Sequence, residues 1–235
     1  MENKVSIIIP VYNEEETIEK LLLHLQNCVI GHDSEIIVVD GASTDKTMEV
    51  VKCCGVRFIA CNKKGRAAQM NFGVEHTDGE ILYFVHADSI PPTSFIDDIY
   101  QSVENGFDAG CYRFRFDSGH PLLKANSYFT RFDRLMCRGG DQTLFVKRSV
   151  FEELGGYKEH YLIMEDFDLI QQLRKNYAFK IIPKDVIVSA RKYENNSYLK
   201  VNFVNLVIFL MYFTGVSQET MVHAYKELIH KTRFG

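Results

Sequence analysis

No apolar run in this chain is long enough to cross a bilayer. The most hydrophobic stretch, Val201 to Val216, is broken by Asn202, Asn205 and Thr214, and its longest uninterrupted part runs only from Leu206 to Phe213. A spanning helix needs about 20 apolar residues. There is no Cys-x-x-Cys pair among the six cysteines at 28, 53, 54, 61, 111 and 137, so zinc-ribbon and thioredoxin-like chemistry find no support. No basic excess exists either. The formal net charge of -4 argues against a broad nucleic-acid-binding surface. Tryptophan is absent, but 17 Phe and 12 Tyr in 235 residues provide ample core material, so no staple is required. No apolar leader precedes the first strand-like segment, and the cysteines read as free thiols in a reducing cytoplasm.

What is present is an alternation of strand and helix. Val5 to Ile9 is a β-branched run suited to a buried parallel strand. Asn13, with Glu16 three residues on, predicts a capping box for a helix carrying Ile18, Leu21, Leu22 and Leu25 on one face. Strands are expected at Ile36–Asp40, Val56–Ala60 and Ile81–Val85. Helices are expected after residue 46, over Arg66–Glu75, and from Pro91-Pro92 onward. The second half predicts strands at 108–116, 143–147, 179–182 and 186–190. It also predicts a helical excursion over 121–137, a short helix capped by Ser149, and helices at 165–176, 198–213 and 218–231. The fold class that follows is a single α/β domain. It has a mostly parallel, Rossmann-like central sheet with helices on both faces, a mixed extension and C-terminal helices.

In open parallel sheets ligands bind beyond the carboxyl ends of the strands. Here those ends read Pro10-Val-Tyr12-Asn13-Glu14, Asp40, and His86-Ala87-Asp88. Each residue has a plain structural alternative, since Asn caps helices and Asp makes turns. Three such ends on one crevice point to a polar ligand.

These segments, with Val39-Asp40-Gly-Ala-Ser-Thr-Asp45, Gly65-Arg66-Ala-Ala-Gln-Met-Asn71 and Glu165-Asp166-Phe-Asp168, resemble the family 2 glycosyltransferases. The resemblance covers nearly the whole chain, and is narrowest to small stand-alone bacterial members. It implies a GT-A fold, residues 1–115 forming the nucleotide-sugar half and residues 116–235 the acceptor half. It implies an inverting transfer from a nucleotide-diphosphate sugar to a hydroxyl of a carbohydrate or lipid-linked acceptor. UDP is the default base, with GDP and dTDP open.

By resemblance Asp40 contacts base or ribose, Pro10, Tyr12, Asn13 and Glu14 wall that pocket, and Arg66 and Asn71 belong to the same donor site. Asp88 matches the last carboxylate of the family's Asp-x-Asp metal motif, for Mn²⁺ or Mg²⁺. His86 stands where that motif begins with Asp, and either contacts ribose or joins a Mn²⁺ shell, with a plain buried histidine as the alternative; Ala87 lies between them. Asp166 is implied as general base with Glu165 adjacent, although acids also favour the first turn of any helix. Asp141 and Gln142 are placed on the acceptor side. Arg174 either supports the diphosphate or solvates the surface, and Arg191 stands ready to close over the phosphates.

Three other readings compete. A sugar nucleotidyltransferase would need a glycine-rich basic loop after the first strand, where this chain has Glu14-Glu15-Glu16. A dinucleotide oxidoreductase would need Gly-x-Gly-x-x-Gly there. A non-catalytic nucleotide-sugar-binding protein remains as the alternative that His86 suggests. The 201–213 stripe reads as core or subunit contact, with an interfacial helix at the membrane's inner face as the other possibility.

Overall fold

The computed structural model describes residues 3–63 and 65–229. Four parallel strands form its first half: β1 (Val5–Val11), β2 (Ser34–Asp40), β3 (Arg57–Ala60) and β4 (Ile81–Phe84). Helices α1 (Ile18–Cys28), α2 (Thr47–Cys53) and α3 (Arg66–Glu75) connect them. The strand β5 (Ser89–Ile90) and helix α4 (Phe95–Glu104) follow. The second half adds β6 (Ala109–Phe116), α5 (Pro121–Phe129), β7 (Leu144–Lys147), α6 (Arg148–Glu153), α7 (Glu165–Asn176) and β8 (Phe179–Val188). Helices α8 (Tyr198–Phe213) and α9 (Gln218–Leu228) close it. The eight strands form one sheet in the order β3-β2-β1-β4-β7-β6-β8-β5. Strand β7 runs antiparallel to both its neighbours, while β6 and β8 pair in parallel. This is the α/β sheet with a mixed extension that the pattern predicts.

Period-two alternation divides the core. From β1, Val5, Ile7, Ile9 and Val11 face α1 and α4, meeting Leu21, Leu22, Leu25, Phe95 and Ile99. Ile8 faces the other way, with Met70 and Val74 of α3 and Leu169 and Leu173 of α7. Gly73 lets α3 lie directly on the sheet, since a methyl group there would stand 2.5 Å from Ile8 Cγ2. A third cluster joins α8 to α9 through Val201, Val204, Ile208, Met221 and Tyr225.

Several local expectations are corrected. Asn13 caps no helix; α1 starts at Ile18 behind Thr17, and Asn13 has a left-handed backbone with φ 54°. Pro91 and Pro92 lie ahead of α4, which begins at Phe95. Ser149 sits inside α6 instead of capping it. The two final strand segments are one strand, β8, running through Pro183 with a register shift opposite Tyr112 and Arg113. The expected reach of α9 to Lys231 lies outside the described residues.

Candidate active site

The carboxyl ends of β1 and β2 are laced together by side chain to backbone bonds. Asn13 Oδ1 accepts from the Thr44 amide at 2.8 Å, and the Asn13 amide donates to Ser43 Oγ at 3.0 Å. The Glu14 amide donates to Thr47 Oγ1 at 2.7 Å. Asp40 is buried, and its carboxylate accepts from the Ser43 amide at 3.2 Å, which shapes the turn after β2. Below this turn Gln69 is buried, and its amide donates to the carbonyls of Val11 and Val39, both at 2.8 Å. That bond pair fixes the spacing of β1 and β2 where they open. Pro10 is buried, and Tyr12 half-buried, on the same edge.

The second half brings the acids Asp141, Glu165 and Asp166 to this edge, where Arg66 and Asp88 of the first half already stand. Arg66 opens α3 and Glu165 opens α7; their Nη2 and Oε1 atoms lie 2.8 Å apart. Burial works against the charge of Arg66, but the carboxylates of Glu165, Asp166, Asp141 and Asp88 outweigh it and hold the guanidinium firmly protonated. Burial also pushes the Glu165 carboxyl above the usual carboxylate range; Arg66 opposes that shift and Asp166 adds to it. Asp166 faces His86, with Oδ2 and Nε2 3.5 Å apart, and both are buried. Gly140 packs directly against the pair, and a methyl group there would collide with Asp166 Oδ2 and His86 Cε1.

Across the mouth, Arg191 Nη2 donates to both carboxylate oxygens of Glu14, at 2.9 and 2.7 Å, with Asp88 Oδ2 3.7 Å from the same nitrogen. This guanidinium, just beyond β8, ties the end of β1 to the end of β4. Arg66, Asp88, Asp141, Glu165, Asp166, His86 and Arg191 therefore share one crevice. Other residues are turned to different tasks. Asn71 clamps the backbone of Tyr157, donating to its carbonyl at 2.8 Å and accepting from its amide at 2.9 Å. Arg174 pairs with Asp133 at 2.5 Å. Ala87 is packed in the core. Gln142 is fully buried with neither side-chain polar atom hydrogen-bonded.

Four contributors carry no sequence motif. Tyr157 is buried beside the acids, and burial followed by the charges of Asp166 and Glu165 drives its phenol well above its ordinary range. Gln218 of α9 accepts from the amides of Leu162 and Ile163, both at 3.1 Å, holding the turn that leads into α7. Tyr212 of α8 donates to Asp168 at 3.0 Å, and Lys158 holds the same carboxylate at 2.9 Å. The available signals were Gly155-Gly156 before Tyr157, both with positive φ, and the odd placement of polar Gln218 behind an apolar helix.

Backbone strain collects at the same place. Among the described residues, the non-glycine residues with positive φ are Asn13, Ala42, Thr143 and Met164. Each lies in a loop of this crevice, and Met164 stands immediately before Glu165. Such conformations cost on the order of 1–3 kcal/mol each and persist where surrounding structure enforces them.

The profile of glycosyl transferase family 2 matches residues 6–158, well over half of the chain. The chain belongs to glycosyl transferase family 2. It is 28% identical over 173 residues to Glycosyltransferase AglE of Haloferax volcanii, covering 67% of this chain and 57% of that protein. It is 31% identical over 110 residues to a dolichol-phosphate mannosyltransferase of Pyrococcus furiosus, covering 45% of this chain and 31% of that one. The chain thus spans only about a third to a little over half of these relatives. Among solved structures, the mannosyltransferase PcManGT from Pyrobaculum calidifontis, in complex with GDP-Man and Mn²⁺, superposes with a TM-score of 0.72 at 18% identity. It covers 97% of this chain and 70% of its own. S. aureus TarS 1-349 in complex with UDP-GlcNAc gives 0.67 at 16% identity, over 96% of this chain and 70% of its own. The family 2 chain therefore has the GT-A fold.

Proposed function

We propose that this family 2 chain transfers a sugar from a nucleotide-diphosphate donor, with UDP as the first base to test, to a hydroxyl acceptor with inversion at the anomeric carbon. One observation carries the reading: Arg66 and the acids Asp88, Asp141, Glu165 and Asp166 meet at the carboxyl edge of the parallel strands. The base and ribose lie between the Pro10–Glu14 and Asp40 turns. Arg66 faces the diphosphate, and supplies positive charge to a leaving group that gains negative charge.

Glu165 is engaged by Arg66, which leaves Asp166 as the general base. Asp166 takes the acceptor hydroxyl proton while that oxygen bonds to the anomeric carbon. The bond from that carbon to the β-phosphate oxygen breaks, and its electron pair leaves with the nucleoside diphosphate. His86, 3.5 Å away, orients the Asp166 carboxylate. A single displacement of this kind inverts configuration.

The donor set suits a hard divalent cation shared with a diphosphate. Asp88 offers one partly open carboxylate, with the His86 imidazole two residues before it. Among the described residues no three His, Cys, Asp or Glu side chains gather to hold an ion alone. Phosphate oxygens and water would complete the shell, as is common for Mg²⁺. When bound, such a cation neutralises the diphosphate and makes it a better leaving group. Asp88 is the residue that would hold it.

Calorimetric titration with UDP, GDP and dTDP, with and without Mn²⁺, tests the donor half. Metal-dependent binding of one nucleotide, lost in Asp88→Ala, is the expected result. No binding under any condition would reject the donor pocket.

A further inference from the structure

Helix α8 has two apolar faces. The inner one carries Val201, Val204 and Ile208 against α9. On the outer face Leu199, Phe203, Leu206, Leu210 and Phe213 are each more than half exposed, with Leu199 at 75%. Their spacing of four and three residues makes one continuous stripe. The helix contains no acid, and its one basic residue is Lys200. A stripe read as core or subunit contact is thus half core and half bare.

A second bare surface lies on α5 and the turn after it. Leu122, Tyr128, Phe129, Phe132 and Met136 are exposed there, interleaved with exposed Lys124, Arg131 and Arg134. The Arg131 guanidinium stacks 4.9 Å from the Tyr128 ring. Asp133, the acid of the segment, is held by Arg174. Arg138 pins the turn from inside, donating to the carbonyls of Thr130 and Phe132 at 2.6 and 2.5 Å.

Helix α7 joins the two surfaces. Its Phe167 packs on Phe209 and Phe213 of α8. Arg174 lies two turns further along the same face and reaches Asp133.

We propose that these two surfaces together seat the protein on an anionic lipid bilayer. Exposed apolar area on this scale marks an interaction surface. Aromatic rings alternating with cations suit the headgroup boundary, where apolar side chains enter and cations meet anionic lipid. The local basic excess stands against a chain of net charge -4. A second copy of the chain fits less well, because a two-fold contact would set Lys124, Arg131 and Arg134 against their own counterparts. Phe167, which packs on Phe209 and Phe213 of α8, is the chain neighbour of Asp166, so the α8 surface lies close to the proposed base. The docking surface itself does not depend on the assignment of donor or base.

The test is co-sedimentation of the full chain with vesicles of phosphatidylcholine alone or mixed with phosphatidylglycerol, at low and high salt. Thermal unfolding of every variant checks that it folds. The expected result is binding to anionic vesicles that weakens with salt. Removing Lys124, Arg131 and Arg134 together, each to Ala, lowers the partition coefficient about a hundredfold, roughly fivefold or about 1 kcal/mol per cation. Leu206→Ser with Leu210→Ser lowers it at both salt concentrations. A wild-type chain that stays out of anionic vesicles at low salt overturns the proposal. So does binding indifferent to all three cations, or a dimer in light scattering that Leu206→Ser and Leu210→Ser dissolve.

Discussion

Arg66 at the start of α3 and Glu165 at the start of α7 are joined by a 2.8 Å ion pair, open to water on the arginine side and closed on the glutamate side. The two stand 99 positions apart in sequence, at the starts of two different helices. Because burial raises the Glu165 pKa, the folded chain holds this proton more tightly than the unfolded chain does. Its contribution to stability is therefore present at acid pH and is lost as pH rises through the folded value. Arg66→Ala removes the opposing charge, costs about 1–3 kcal/mol at neutral pH, and steepens that loss. Glu165→Gln flattens it. Denaturant unfolding at several pH values checks all three; an unchanged slope in Arg66→Ala would contradict the coupling.

Asp166→Asn keeps the shape of the site and removes the proton acceptor. Sugar transfer is expected to fall about 10²–10⁴-fold with nucleotide affinity unchanged. Product analysis of the wild type should show inverted anomeric configuration. Retained activity in Asp166→Asn would move the base elsewhere.

Gly140→Ala probes the approach of the Gly140–Gln142 turn to the acids. The added methyl group collides with Asp166 and His86, so the carboxylate must shift. A displacement of about 1 Å is enough to reduce turnover about 10²-fold. The expected pattern is a large drop in kcat with a small change in melting temperature. A melting temperature that collapses alongside activity would make Gly140 a folding residue only.

Gln69→Leu deletes both bonds that tie the ends of β1 and β2, leaving the Val11 and Val39 carbonyls buried without that partner. A loss of about 1–3 kcal/mol in denaturant unfolding is expected. Nucleotide affinity should weaken as well, because the Tyr12 and Asp40 turns hang from those two strand ends. A variant with wild-type stability would show that water replaces the amide.

Three helices were legible to the residue: Arg66–Glu75, Glu165–Asn176 and Tyr198–Phe213 stand where the sequence reading sets them. Tyr12, Asp40, His86 and Asp88 gather at the strand ends, where the parallel-sheet rule sets them, whereas Arg66, Glu165 and Asp166 were placed beside them by resemblance to the family and not by any local period. Asn13 was misread because asparagine favours both caps and left-handed turns, and its real partners, Ser43 and Thr44, come 30 residues later. Pro183 suggested a break in β8, yet the register shift opposite Tyr112 and Arg113 absorbs it. Gln69, Tyr157 and Gln218 act through contacts distant in sequence, which local periodicity does not encode. Strand β5, two residues long, carries no period at all.

The bond from Gln218 to the Leu162 and Ile163 amides has a practical edge for anyone handling this protein. A stop codon ahead of residue 218 would leave every motif of the crevice in place. It would also strip two amides of their acceptor in the turn that aims Asp166. Such a shortened chain would look complete in an alignment and fail at the bench, and its failure would be mistaken for a missing substrate.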